Sequence, residues 1–303
     1  MVLNNLFPVF ALLLFGHLLK RLGFTHDAFL KTADRLIYYI FFPALLFWKI
    51  GAGASDHVGD PGLYKAAVYS VIGVYILSSI YIKFLRVPAY QAGSFSQSCY
   101  RFNTYIGMAV VLSALGEDGA RQFSILIGLI IPVINILAVG TLSWYSEKKV
   151  PLLQRVRFTA KALISNPLII ACLAGITYWK LIGGFPLFID STFRLASFVT
   201  LPLALLSIGG TLTLSGMKHH LKLSLVACVF KLVLLPTIGY LFLNVFNATG
   251  TSFKVGMIYF ALPTSTALYI LSSQLRSDTQ LASVSIALST ILSFISLSVA
   301  LLI

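Results

Sequence analysis

The stretch CYRFNTYIGMAV, residues 99–110, places Arg101, Asn103 and Thr104 inside a run otherwise built of apolar residues. A guanidinium presents a planar fork of donors that matches a carboxylate. An asparagine amide and a threonine hydroxyl add further hydrogen bonds. A second stretch, FALPTSTALYILSSQL at 260–275, offers Pro263, Thr264, Ser265 and Thr266 in a similar setting. With Tyr105, these residues form an expected binding constellation for a small anion. Its chemistry is recognition rather than bond-making, since no nucleophile, base or metal-ligand cluster accompanies it.

Other reactive side chains point nowhere in particular. Cys99, Cys172 and Cys228 sit in apolar stretches at unrelated spacings and read as packing residues. His219 and His220 lie beside Lys218 and Lys222 and read as a solvated basic loop rather than a metal site. His17 reads as a packed or interfacial histidine. No cofactor and no metal are expected.

The elements that must position these residues follow from composition. Of 303 residues, 58% are hydrophobic and only 10% charged, where a soluble domain carries roughly 25% charged residues. The apolar residues come in long blocks, and about 20 of them make one helical crossing of a bilayer. The fold class is therefore all-α integral membrane. Ten spans are expected, near 4–20, 31–50, 62–84, 90–115, 119–143, 158–180, 190–213, 218–244, 251–275 and 279–302. The first is kept as a true span because MVLNNLFPVF lacks the basic start of a signal peptide.

The net charge of +13 belongs to loops rather than to a nucleic-acid surface, and no nucleic-acid partner is expected. One side collects fourteen cations: Lys20, Arg21, Lys31, Arg35, Lys83, Arg86, Lys148, Lys149, Arg155, Arg157, Lys161, Lys218, Lys222 and Arg276. The other collects six, with Asp56, Asp60, Glu117, Asp118 and Asp190 nearby. The basic side is expected to be cytoplasmic, which leaves both termini outside, in a multi-pass plasma (bacterial inner) membrane protein.

The basic connector SEKKVPLLQRVRFTAK divides the chain into five spans plus five. A shift of 159 residues superposes Pro8 on Pro167, Gly16 on Gly175, Arg35 on Arg194 and Pro43 on Pro202. A shift of 160 superposes Asn103 on Pro263, Thr104 on Thr264, Ser113 on Ser273 and Asp118 on Asp278. A repeated five-span unit enters the membrane the opposite way round the second time, an architecture recurrent among secondary transporters.

In that register RFNTYIG lies opposite ALPTSTA. Pro263 removes a backbone donor and crowds the preceding turn; Asn103 and Thr104 compete with the helix ladder through their own side chains. Spans four and nine are expected to break there into half-helices, whose amino ends favour an anion. Arg101 lies eleven residues from Tyr90 and fourteen from Leu115, so it either serves substrate binding or gating or is paired internally. Lys231 is the other deep cation, and a kink at Pro236 would turn it toward carbonyls or a wet crevice. Lys231, Ser207, Gly209 and Asn135 are candidates for supporting or gating positions. The alternatives are interhelical bonding for Asn135 and Asn166, and close helix packing for Ser207, Gly209 and Gly210. All nine acidic residues fall in loops or near span ends, so the coupling ion (proton, sodium or membrane potential alone) stays open.

Three stretches, YRFNTYIGMAVVLSALGEDG, SNPLIIACLAGI and FALPTSTALYILSSQL, resemble patterns of the auxin efflux carrier family, which includes bacterial organic-acid carriers and the plant PIN proteins. The resemblance runs through essentially the whole chain. It implies the fold of the bile-acid sodium symporters: spans 1, 2, 6 and 7 as a scaffold, spans 3–5 and 8–10 as a moving transport domain, and crossover helices at spans 4 and 9. The corresponding segments are 1–60 (scaffold), 61–145 (transport core), 146–215 (connector and scaffold) and 216–303 (transport core). It further implies elevator-like movement, a homodimer through the scaffold, and central roles for Asn103 and Pro263. The chain departs from the PIN pattern in its short connector and in reading Arg-Phe-Asn-Thr-Tyr rather than Asn-Pro-Asn at the crossover. The implied substrate is thus a small carboxylate rather than auxin.

The expected function is secondary transport of a small mono- or dicarboxylate, in contact with the lipid bilayer, and not enzymatic. Two alternatives stand beside it: a sodium-coupled symporter of bile-acid-like amphipathic anions, and a membrane sensor or enzyme without transport.

Overall fold

The computed structural model describes residues 2–52, 60–145, 152–213 and 217–303. Asp56, Lys148, Lys149 and the start of the basic connector lie outside the described residues. Every regular element among the described residues is helical. In order these are α1 (Val2–Arg21), α2 (Asp27–Leu36), α3 (Phe42–Gly51), α4 (Pro61–Phe84), α5 (Ala89–Tyr100), α6 (Thr104–Tyr145) and α7 (Leu152–Ile164). There follow α8 (Pro167–Leu181), α9 (Leu187–Thr211), α10 (Met217–Val229), α11 (Leu235–Val245), α12 (Gly250–Ala261), α13 (Ala267–Gln274) and α14 (Thr279–Leu302). Among the described residues six helical runs are long and apolar enough to cross a membrane: Val2–Arg21, Pro61–Phe84, Ala89–Tyr145, Leu187–Thr211, Met217–Val245 and Thr279–Leu302.

Prolines shape the run of these helices. Pro43 and Pro236 each follow a short π-helical turn, Ile37–Phe41 and Phe230–Leu234. A proline ring crowds the carbonyl four residues earlier, here Tyr39 and Leu232, and both lie inside the widened turns. The expected single span at 158–180 is divided: α7 ends at Ile164, and α8 begins at Pro167. The residue before a proline is driven to extended backbone, and Asn166 is extended at φ −77°, ψ 114°. Its side-chain oxygen accepts the Leu168 and Ile169 amides at 2.9 and 3.4 Å. Asn166→Ala removes this cap and is expected to cost about 1 kcal/mol, read as a lowered melting temperature of the purified protein with substrate affinity unchanged.

Gly116, at φ 65° and ψ −154°, breaks α6 where the sequence separates its fourth and fifth apolar blocks. Only a residue without Cβ adopts such torsions freely.

The contacts group the chain into two compact units. The first comprises 1–60, 105–129 and 164–212; the second comprises 61–104, 130–163 and 213–303. In the first unit α1 and α9 touch backbone to backbone. A Cβ added at Gly16 would lie 2.1 Å from the Leu206 oxygen, and one at Gly209 would lie 1.9 Å from the Leu13 oxygen. Trp48 Nε1 donates to Asp190 at 2.7 Å, and Lys49 pairs with Glu117. The second unit holds α4, α5 and α10–α14, and α5 is buried along all nine residues from Ala92 to Tyr100. A helix enclosed on every side and carrying Ser94, Ser96, Gln97 and Ser98 needs polar neighbours. Ser94 finds Ser272 and Ser277, both at 2.9 Å.

Candidate functional site

Helix α5 stops at Tyr100 and α6 starts at Thr104; α12 stops at Ala261 and α13 starts at Ala267. Both carboxyl ends leave the helix in the same way. Arg101 has φ −65° and ψ 150°, and Leu262 has φ −63° and ψ 149°. Leu262 must be extended because Pro263 follows it. The two interruptions meet through the backbone, with the Asn103 amide donating to the Pro263 carbonyl at 2.9 Å. Phe102 and Tyr259 pack edge to face beside this bond, with ring centroids 4.7 Å apart. Non-helical backbone within an apolar protein persists only where protein or water satisfies it, and here each break satisfies part of the other.

Arg101 is buried, and its guanidinium donates to Asn135 Oδ1 at 2.6 Å. An amide oxygen fixes the orientation of the fork without cancelling its charge. Asn135 is thus an interhelical bonding partner to Arg101. Asn103 is 1% exposed and Thr264 fully buried. The Thr264 amide donates to Ser289 Oγ at 3.1 Å. The Thr264 hydroxyl and Gln97 Oε1 are buried with no hydrogen bond to another described residue. Ser265 Oγ accepts the Ala267 amide at 3.2 Å, capping α13, and Thr266 precedes that helix directly.

Other expected positions sit elsewhere. Thr104 is the first residue of α6 and partly exposed. Tyr105 belongs to the first unit, where its ring stands edge-on to Phe42 at 4.7 Å. Ser207, also in the first unit, donates to Asp34 Oδ1 at 2.5 Å. Gly209 lies in the contact of α1 and α9 described above. Lys231 is in the second unit, fully buried, and donates to the Phe260 carbonyl at 2.9 Å. Gln97, Ser289 and Ser296 were not among the expected site residues. The signal for the serines was present: Ser285, Ser289, Ser293 and Ser296 recur at helical spacing on α14.

In sum the second unit offers a buried guanidinium, a buried asparagine and two interrupted helices joined to each other. The described residues contain no cluster of three or more His, Cys, Asp or Glu that could hold a metal.

This is the arrangement of a membrane transport protein. The family model described as "Membrane transport protein" matches residues 1–301, and the chain belongs to that family, the auxin efflux carriers. It is also 21% identical over 295 residues to an uncharacterized transporter of Methanocaldococcus jannaschii, covering 95% of this chain and 94% of the relative. The family is a transporter family, and the chain is a multi-pass membrane protein.

Proposed function

We propose that the protein is a secondary carrier of a small carboxylate, bound where the two interrupted helices meet. The observation that carries this reading is the Asn103–Pro263 backbone bond with the buried Arg101 guanidinium two residues from it. Arg101 attracts the carboxylate, held in orientation by Asn135. Asn103, Thr104 and the Thr264 hydroxyl hydrogen-bond it, with Ser265 and Thr266 beside them, and Pro263 maintains the second break.

The fold carrying out this task is ten spans in two inverted repeats. The matching exits of α5 and α12 from helical geometry support it. Movement is elevator-like: the second unit holds Arg101, Asn103, Asn135, Lys231 and Pro263 together, as a body that carries substrate would. The first unit supplies the scaffold, and its exposed Leu14, Phe15, Leu195 and Phe198 suit the second copy of a homodimer. The excess of loop cations on one side supports a cytoplasmic connector, external termini and residence in the bacterial inner membrane.

Uptake into proteoliposomes tests the reading. Radiolabelled mono- and dicarboxylates of two to six carbons are expected to accumulate in protein-containing vesicles and to compete with one another. Neutral amide analogues of the same acids are expected to do neither. Equal uptake of acid and amide would reject a guanidinium-based site.

A further inference from the structure

The sequence places His219 and His220 together in a solvated basic loop, and the structure divides them. His219 is exposed, whereas His220, in the first turn of α10, is only 8% exposed. Its Nδ1 faces Asp278 Oδ2 at 3.6 Å and makes no hydrogen bond to another described residue. A buried imidazole nitrogen facing a carboxylate just beyond bonding distance is sensitive to one added proton.

Asp278 already joins two other elements. Its Oδ1 accepts the Leu281 amide at 2.9 Å and caps α14. Its Oδ2 accepts Gln91 Nε2 of α5 at 3.0 Å, and its amide donates to the Tyr90 carbonyl at 2.9 Å. Gln91 has a second acceptor to turn to, since its Nε2 also lies 3.1 Å from the Tyr90 hydroxyl. Two donors therefore compete for Oδ2, and the loser in α5 need not go unbonded.

We propose that His220 and Asp278 form a pH switch on the carrier: proton uptake by His220 turns Asp278 Oδ2 from Gln91 to the imidazolium, ties α10 to the amino end of α14 and raises affinity for the carboxylate. This rests on the carrier reading above and adds its regulation.

The proton comes from solution and stays on the ring. A neutral imidazole donates from one nitrogen, whereas the imidazolium donates from both, so Nδ1 becomes a donor whatever the starting tautomer. Charge-assisted N–H···O bonds run about 2.7–2.9 Å, so α10 closes on Asp278 by less than about 1 Å. Both joined helices hold the second interruption. Ser289 of α14 accepts the Thr264 amide at 3.1 Å, and Ser296 donates to the Ala261 carbonyl at 2.8 Å. α10 runs into the turn where Lys231 donates to the Phe260 carbonyl. Fixing α10 to α14 preorders the residues around Thr264, and a preorganised site binds more tightly.

The surrounding groups leave this response to His220. α14 carries no titratable side chain. On α5, Tyr90 lies at the near end and Cys99 and Tyr100 at the far end. Lys218, His219 and Lys222 on α10, and Arg276 before Asp278, are exposed, and none of the described ion pairs includes them.

The test measures carboxylate uptake by the full chain in proteoliposomes between pH 8 and pH 6, with the same pH on both faces so that no proton gradient contributes. Carboxylic acids titrate near about pH 4, so the substrate stays ionised throughout. Wild-type KM is expected to fall about fivefold or more from pH 8 to pH 6. His220→Gln is expected to hold the wild-type pH 8 value at every pH. Asp278→Asn keeps the helix cap, because asparagine caps as well as aspartate, and is expected to lose the pH dependence too. A histidine that only fills space would leave the wild-type profile intact in His220→Gln. Hydrogen exchange supplies a readout that needs no substrate. Amides 221–224 of α10, corrected for the intrinsic pH dependence of exchange, are expected to be better protected at pH 6 than at pH 8 in wild type, and equally protected in His220→Gln. An unchanged wild-type KM, a pH dependence that survives His220→Gln, or equal wild-type protection at both pH values overturns the proposal. If wild type transports no carboxylate at any pH, the carrier reading fails, and the exchange comparison still decides whether His220 and Asp278 form the switch.

Discussion

Arg101→Ala is expected to reduce carboxylate uptake by two orders of magnitude or more while the protein remains folded. Removing one partner of a buried, hydrogen-bonded charge pair costs about 2–5 kcal/mol, and every 1.4 kcal/mol or so is tenfold in affinity. Asn135, one residue that loses a donor, is neutral, so that loss alone should leave the fold intact. Asn135 Oδ1, which accepts from Arg101 at 2.6 Å, becomes a half-buried acceptor without that donor, at a cost no larger than about 1–3 kcal/mol. A lowered melting temperature with a monodisperse elution profile is the corresponding result. Arg101→Lys keeps the charge and loses the planar fork, so it should retain weak uptake with a raised KM.

Asn135→Asp discriminates further. It places a carboxylate against the guanidinium, which satisfies the arginine more strongly than an amide does. Stability should hold or rise while uptake falls, since the internal carboxylate competes with the substrate's own. Vesicle uptake and thermal melts on the three variants check this together. Undiminished transport by Arg101→Ala would remove the guanidinium from the site.

How much of this could be read from the residues varies with the physics involved. The six span-length helical runs among the described residues were legible because an apolar block of that length has one stable solution in lipid. The interruptions were legible because Pro263 cannot donate and the Asn103 and Thr104 side chains compete with the helix ladder. The bond from Asn103 to Pro263 was not, since sequence spacing of 160 residues fixes no register between two backbones. For Lys231 the sequence left a choice between carbonyls and a wet crevice, and the structure has it on the Phe260 carbonyl.

Ser207 and Gly209 show the limit of residue-type reasoning. Small residues after a proline suit either ligand contact or helix contact, and only the neighbours decide. Asp34 takes the Ser207 hydroxyl, and the Leu13 backbone takes the space beside Gly209. The single span expected over 158–180 failed for a local reason. Apolar content continues across Ser165–Asn166–Pro167, but the backbone cannot remain helical before the proline. Gln97 escaped notice because one buried amide among many carries no signal until its partners are known. Ser289 acquires its role from the Thr264 amide, 25 residues away.

Gly209→Ala is expected to destabilise the protein strongly, because among the described glycines its added carbon makes the closest approach. The added carbon would stand 1.9 Å from the Leu13 oxygen and 2.7 Å from its carbonyl carbon, far inside contact distance. Both obstructing atoms are backbone, so no rotamer change relieves the overlap and α1 must move away from α9. Overpacking of this kind costs about 1–3 kcal/mol or more, and each kcal/mol lowers the melting temperature of a chain this size by about 1.5–2 °C. A fall of about 5 °C follows for a cost of some 3 kcal/mol. Gly16→Ala should behave alike, its carbon meeting Leu206 at 2.1 Å. The two losses should not add, because one displacement of α1 relieves both contacts. Gly73→Ala is the matched control. It too lies inside a helix, but its nearest neighbour is Ile238 Cγ2 at 3.9 Å, an ordinary contact. There the better helix propensity of alanine, about 0.5–1 kcal/mol, should leave stability unchanged or raised. Thermal melts of the three variants in one detergent give the comparison. Equal melting temperatures for Gly209→Ala and Gly73→Ala would mean that α1 and α9 do not meet backbone to backbone.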